Sequence, residues 1–298
     1  MARTALVSGA SGLIGRELVR VLRAEGWEVK RLVRGQAFAP DAVGWIPHYG
    51  MDPGTIEGMD AVIHLAGERV FGIWTKEKKQ AIHESRVVGT AALSQAIAHC
   101  KQKPRVFVCA SAVGYYGDRG SEVLTEDSPP GRGFLADSCV EWERAADPAR
   151  AAGIRTVHLR LGVVLAKRGG ALHTMLPAFK LGIAGPLGSG KQYFPWITLR
   201  DAVGAVRFAI DREDVAGPMN TVAPHAVTNR EYTKTLAKVL RRPAVLRVPA
   251  FILKMLPGRM AQEAILASAR VAPKRLLDAG YQFQDSELES ALRAVLAK

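Results

Sequence analysis

The pattern of apolar and polar positions changes period along the chain, and each change marks an element. Residues 3–8 (RTALVS) form a short β-rich run that ends in glycines. From Leu13 to Ala24 the period is helical, with Leu18, Val21 and Leu22 on one face and Gly26 as the stop. A second strand follows at 27–33 (WEVKRLV), and a third apolar run, AVIHLA at 61–66, ends at Gly67. Residues 85–100 read as a helix with Val88, Ala92, Ala96 and His99 along one side. Residues 105–111 (RVFVCAS) read as a strand, 134–153 as mostly helix, and 154–165 as strand again. Strands and helices thus alternate at intervals of 20–35 residues, which predicts a parallel sheet with helices on both faces and right-handed crossovers. After about Ala166 the alternation breaks. Residues 168–196 are rich in Gly and Pro, and 221–298 carry mainly helical pattern with apolar clusters such as VPAFILKML. The predicted class is α/β: a doubly wound parallel sheet over residues 1–220, with an insertion near 168–196, and a smaller, mainly helical C-terminal substrate lobe over 221–298.

Composition alters that picture little. Of 298 residues, 48% are hydrophobic and 23% charged, which suits a chain that buries a continuous core. Charge raises a question: 41 Lys plus Arg against 28 Asp plus Glu leave a net +13. Residues 221–298, with 13 basic and 6 acidic side chains, supply +7 of it. Such an excess fits nucleic acid, an anionic membrane surface or a small phosphorylated ligand. No recognition-helix or base-stacking motif supports nucleic acid, so a small-molecule substrate is the expected partner. Cys100, Cys109 and Cys139 are too few for a disulfide framework and lack CxxC spacing, which points to a reducing, cytoplasmic location. The seven histidines show no HxxxH or HxxE spacing, so no metal is expected. The N-terminus lacks an uninterrupted apolar core, and no run approaches the ~18 apolar residues of a spanning helix, so no membrane partner is expected.

The sharpest chemical signal is Gly9-Ala10-Ser11-Gly12-Leu13-Ile14-Gly15, between the first strand and the first helix. One glycine lets the chain turn off the strand, one lets the backbone approach a pyrophosphate, and one lets helix and sheet pack closely. The helix N-terminus then offers free N–H groups to the anion. A dinucleotide site that binds NAD places Asp or Glu near the end of the second strand. Here Gly15 is followed 19 residues later by Arg34, and no acid stands in its place. A guanidinium matches a 2′-phosphate in charge and in forked geometry, so NADP(H) is the expected cofactor.

With these residues in view, the chain resembles the extended short-chain dehydrogenase/reductases. It is most similar to the atypical, 39U-like branch of epimerase-family proteins with a C-terminal epimerase-associated domain. The matching stretches are LAGE (65–68), ESRVVGT (84–90), SAVGYYGDRG (111–120), FLADSCVEWE (134–143), LRLGVVLAKRGGAL (159–172), GPLGSGKQYFPWITLRD (185–201) and ARVAPKRLLDAGY (269–281). They run in family order over nearly the whole chain. The resemblance implies a Rossmann domain, NADP(H), and a small substrate lobe. It also implies cofactor contacts at Val33 and Arg34, at Leu65, Ala66 and Gly67, at Arg86, and at Val164 near the nicotinamide.

The family's ordinary chemistry pairs a Tyr with a Lys four residues on, the Lys lowering the Tyr pKa. Tyr49, Tyr115, Tyr116, Tyr193, Tyr232 and Tyr281 are followed at that spacing by Pro53, Arg119, Gly120, Ile197, Leu236 and Asp285, so no YxxxK exists. Aligning Glu143 with the usual acid puts Leu135 and Cys139 where Tyr and Lys belong, and Leu135, Cys139, Trp142 and Ala146 form one apolar face. The expected catalytic groups are instead Ser111, Tyr115 and Tyr116, which follow the fifth strand's C-terminal end, where α/β sites assemble. Ser111 is also a cofactor-contact candidate. The alternative is a non-catalytic NADP(H)-sensing or regulatory protein. GPLGSGK at 185–191 fits the start of a phosphate loop, but Gln192 stands where Mg²⁺ coordination needs Ser or Thr. A substrate-pocket wall is the better reading. Trp74 with Lys76, Lys78 and Lys79 reads as a solvated helix start or a lid over the cofactor.

Overall fold

The computed structural model describes residues 2–255 and 259–297. Strands β1 (Thr4–Ser8), β2 (Glu28–Arg34), β3 (Ala42–Trp45), β4 (Ala61–His64) and β5 (Val106–Ala112) are interleaved with helices α1 (Leu13–Ala24) and α2 (Lys76–His99). The short β6 (Val123–Leu124) precedes α3 (Phe134–Arg144), α4 (Asp147–Ala151) and β7 (Arg155–Leu161). Then come β8 (Val163–Leu165), α5 (Gly170–Lys180), β9 (Tyr193–Phe194), β10 (Trp196–Thr198), α6 (Leu199–Asp211) and β11 (Gly217–Thr221). The last part holds β12 (Val227–Thr228), α7 (Asn229–Leu240), α8 (Ala250–Lys254), a π-helical turn (Ala261–Leu266), β13 (Arg270–Val271), α9 (Lys274–Asp278) and α10 (Leu288–Ala297).

Seven strands form one parallel sheet in the order β3-β2-β1-β4-β5-β7-β11. This is the doubly wound Rossmann-like arrangement, and the strand order reverses between β1 and β4. The two-residue period divides the core. Ala5, Val7, Ala61, Ile63, Val106 and Val108 face one side, against α1, α6 and Leu276 of α9. Leu6, Val62, Phe107 and Cys109 face the other, beneath α2 and Ala149 of α4. Both faces are apolar because both are covered, and the strands therefore read as near-continuous hydrophobic runs.

The lobe packs α5, α7 and α10 around Leu172, Leu176, Tyr232, Leu236 and Leu292. Its α7 begins with a reciprocal cap: Thr228 Oγ1 accepts from Glu231 N–H while the Glu231 carboxylate accepts from Thr228 N–H. The apparent boundary at 220/221 falls at the end of β11, yet the chain later returns to the sheet. Leu276 is fully buried in the sheet's core, with Tyr281 and Phe283 packed against it.

Several elements differ from expectation. Helix α2 starts at Lys76, nine residues before the apolar periodicity begins, because Thr75 caps Lys78 N–H at 3.1 Å while the first turns face solvent. The strand expected over 154–165 breaks at Gly162, where a Cβ would lie 2.6 Å from the Pro195 carbonyl oxygen. Beyond it β8 leaves the sheet to pair with β10. The helix expected over 134–153 is two helices joined at Ala145 and Ala146. The Gly/Pro-rich stretch contains α5, and β3 is an edge strand too short for its pattern to register. Of the VPAFILKML cluster, Leu256 lies outside the described residues.

Candidate active site

Gly9 leaves β1 at φ +68°, and a Cβ there would lie 2.6 Å from the Leu65 carbonyl carbon. Gly15 packs so closely that a Cβ would enter the space of the Gly9 carbonyl oxygen. These two glycines are required by conformation and by approach. Gly12, the N-cap of α1, donates to Gly9 O at 2.9 Å and provides no side-chain cap. The first turn of α1 contains no acidic residue. Its leading N–H groups therefore remain open to an anion, the arrangement a dinucleotide pyrophosphate requires. The Leu13 side chain reaches Gly169 and Gly170 at the start of α5, joining the loop to the far side of the cleft.

Arg34 ends β2 beside the loop's own strand and is exposed, with no carboxylate in ion-pair distance among the described residues. Across the crevice, β4 runs into Leu65, Ala66 and Gly67. Glu68 is then fixed: its N–H donates to Ser85 Oγ at 2.9 Å, and its carboxylate takes Lys78 Nζ at 2.6 Å. Lys78 holds the Glu68 carboxyl below its ordinary pKa. Trp74 is buried against Ile82 and Phe134, and its indole N–H donates to Val70 O at 2.8 Å. Trp74 is packed while Lys76 and Glu77 at the helix start are exposed, and Lys79 lies over the Trp74 and Phe134 rings.

The end of β5 carries the three catalytic candidates, and they fare differently. Ser111 is buried and donates to Glu143 Oε1 at 2.7 Å. Glu143 and Arg160 form a two-point pair, Nε to Oε1 at 2.9 Å and Nη2 to Oε2 at 3.0 Å. Arg160 also donates to Tyr116 Oη at 2.9 Å and to Glu126 O at 3.1 Å. Tyr116 is fully buried, its hydroxyl also within hydrogen-bond distance of Thr125 O and Asn220 Oδ1. Burial pushes its pKa up to about 12. Tyr115 is only partly buried, lies under the Arg160 guanidinium at 3.5 Å from carbon to ring centroid, and has no hydrogen-bond partner for its hydroxyl among the described residues. Sequence reasoning missed Arg160 and Asn220 as partners. An arginine inside the central strand RTVHLRL was the available signal, since a buried guanidinium needs a carboxylate.

The residues expected to form one apolar face divide between two clusters, Ala146 joining the core under α2 and Leu135 the cluster around Trp74. Cys139, Trp142 and Ala146 are buried, and Leu135 packs with Phe134, Trp74 and the π-helical turn. Burial raises the Cys139 thiol to about 12, which leaves it inert. Arg86 lies over the Trp142 ring at 4.9 Å. Its guanidinium carbon sits 3.5 Å from where a Gly67 Cβ would be. Among the described residues only one of its N–H groups has an acceptor, Ile82 O at 2.9 Å, and burial pulls its pKa below the arginine norm. From the lobe, Glu263 reaches α3: its carboxylate accepts from Leu135 N–H at 3.0 Å, beside Gly133. The sequence carried no signal for that contact.

Val164 lies on β8, behind Gly170. The 185–191 loop turns its amides inward: Leu187 N–H donates to Asn229 Oδ1, Gly188 N–H to Val248 O and Gly190 N–H to Leu187 O. Arg230 and Arg247 bind its Ser189 and Gly188 carbonyls. It is a folded wall of the lobe. Among the described residues no group of His, Cys, Asp and Glu is gathered closely enough to hold a metal ion.

Comparison with known proteins agrees with this geometry. Residues 5–223 match the model of the NAD dependent epimerase/dehydratase family, and residues 248–295 match a domain of unknown function, DUF1731. The chain belongs to that epimerase/dehydratase family. Among its relatives, an epimerase family protein of Mycobacterium bovis, Mb2239, is 39% identical over 96% of this chain and 95% of its own. The human epimerase family protein SDR39U1, solved with NADPH, superposes with a TM-score of 0.90 at 33% identity, over 99% of both chains. A nucleoside-diphosphate sugar epimerase from Corynebacterium glutamicum gives a TM-score of 0.83 at 35% identity, over 99% of this chain and 58% of that one.

Proposed function

We propose that this family member is an NADP(H)-dependent oxidoreductase or epimerase-like enzyme acting on a small molecule, without a Tyr–Lys pair. The observation that carries the reading is the pairing of an uncapped glycine loop with an exposed Arg34 at the end of β2 that has no carboxylate in ion-pair distance among the described residues. Ser11, Gly12, Leu13, Ile14 and Gly15 would hold the pyrophosphate, Val33 and Arg34 the phosphorylated ribose, and Leu65, Ala66 and Gly67 the adenosine side. Arg86, Ser111 and Val164 would stand toward the nicotinamide. When bound, the nicotinamide supplies hydride chemistry, which requires orientation and a dry wall. Trp74, Phe134 and Leu135 provide that wall. The proton on the substrate oxygen is assigned to Tyr115, because its hydroxyl is uncommitted; Ser111 and Tyr116 spend their hydrogen bonds on the Glu143–Arg160 pair and thereby position the turn that carries Tyr115. Three buried, unpaired cysteines support a reducing, cytoplasmic setting.

The test is titration of the purified chain with NADPH and NADH. NADPH should bind more tightly. Arg34→Glu should weaken NADPH about tenfold to hundredfold, the range for a lost charged hydrogen bond, and leave NADH nearly unchanged. Equal or absent binding overturns the cofactor assignment. The non-catalytic reading rests on Leu135 and Cys139 at the dyad positions; NADPH that binds but is oxidised by no carbonyl in a metabolite screen would favour it.

A further inference from the structure

Three segments of the lobe lie side by side: the loop 181–186, the stretch 241–248 and α8. Their backbones are stitched together, Leu246 N–H to Ala184 O at 3.3 Å and Val248 N–H to Pro186 O at 3.1 Å, and Ala250 abuts Gly188. From them project Leu181, Ile183, Val245, Leu246, Phe251 and Met255, each more than half exposed. Single exposed apolar side chains need no explanation, but six gathered on adjoining segments mark an interaction surface.

The charges on the same segments are one-sided. Arg241, Arg242 and Arg247 on these segments, and Lys180 at the adjoining end of α5, are exposed, and none has a carboxylate in ion-pair distance among the described residues; Arg247 Nε donates to Gly188 O. Some exposed arginines elsewhere are paired, as in Arg20–Glu17 and Arg212–Asp214, and others, such as Arg16 and Arg132, are not; what sets this face apart is that its segments hold no acid at all. The cause is in the sequence: no Asp or Glu occurs between Pro148 and Arg200, or between Tyr232 and Gln262.

We infer that this face docks on an anionic lipid bilayer, its apolar side chains entering the headgroup region and its unpaired cations meeting lipid phosphates. A second copy of the chain would set these cations against like charges, and a nucleic acid would leave the apolar side chains uncovered. No helix among the described residues is long and apolar enough to cross a membrane, so the contact is peripheral.

Co-sedimentation of the full chain with phosphatidylcholine vesicles, with and without about one-third phosphatidylglycerol, tests the assignment. Binding should require the anionic lipid and weaken with salt. Arg241→Glu/Arg242→Glu should lower partition about thirtyfold or more, from about a factor of five per cation lost. Phe251→Asp/Met255→Asp should abolish the binding that persists at high salt. Lys30→Glu/Arg105→Glu, an equal charge change on the sheet domain, should leave partition within about twofold. All these positions are exposed, so an unchanged melting temperature confirms that each variant folds. No binding to anionic vesicles overturns the inference, as does an equal loss in the sheet-domain control. It is also overturned if Phe251→Asp/Met255→Asp dissolves a dimer in light scattering while vesicles never bind. Retention on duplex DNA that depends on Arg241 and Arg242 but ignores Phe251 and Met255 has the same force.

Discussion

Ser8 and His64 face each other across the β1–β4 pair, at the crevice where strand order reverses. Ser8 Oγ lies 2.5 Å from His64 Nδ1, while His64 Nε2 is buried without a partner among the described residues. Burial lowers the imidazole to about 4, so the folded protein holds it neutral. Between the ordinary value near 6.5 and about 4, the unfolded chain takes up a proton that the folded chain refuses. Stability should therefore be full above about pH 6.5 and fall as pH drops, by about 3 kcal/mol at pH 4 from this group. Denaturant midpoints measured over that range would show the slope, and His64→Gln should flatten it. His158, which burial also shifts downward, adds to the slope in the same direction. At this scale the sequence was uneven. The place of Arg34 at the end of β2 was legible because the strand follows the glycine loop and first helix at a fixed spacing. The Glu143–Arg160 pair was not, because its members come from α3 and β7 and meet only once the sheet is formed.

The glycine loop is the element that periodicity and motif located together, since its strand and helix flank it directly. Its close packing makes a sharp prediction. Gly15→Ala would force a methyl group against the Gly9 carbonyl and splay α1 from β1. Overpacking of this kind destabilises by about 1–3 kcal/mol. The variant should melt lower and bind NADPH at least about tenfold more weakly, as calorimetry and fluorescence titration would show. Other boundaries were harder to read. The start of α2 is polar on every side, so its cap at Thr75 was the sole cue. The break at Gly162 answers to Pro195, 33 residues further on, and no local pattern could announce it.

For the whole molecule, alternation of strand and helix was enough to foresee the doubly wound sheet, because each strand carries its two-face burial in its own residues. Leu276, Tyr281 and Phe283 belong to the sheet's core although they lie in the last quarter of the sequence. We expect a fragment ending at residue 220 to aggregate or to melt well below the full chain, because α6 loses its cover. Co-expression of residues 221–298 as a separate chain should restore much of that loss. A fragment as stable as the whole protein would show two independent folding units.

The hydrogen bond from Leu135 to Glu263 joins residues 128 apart in the chain. One end is the first turn of α3; the other is a π-helical turn of the lobe. A gap between lobe and sheet cannot widen without releasing that amide.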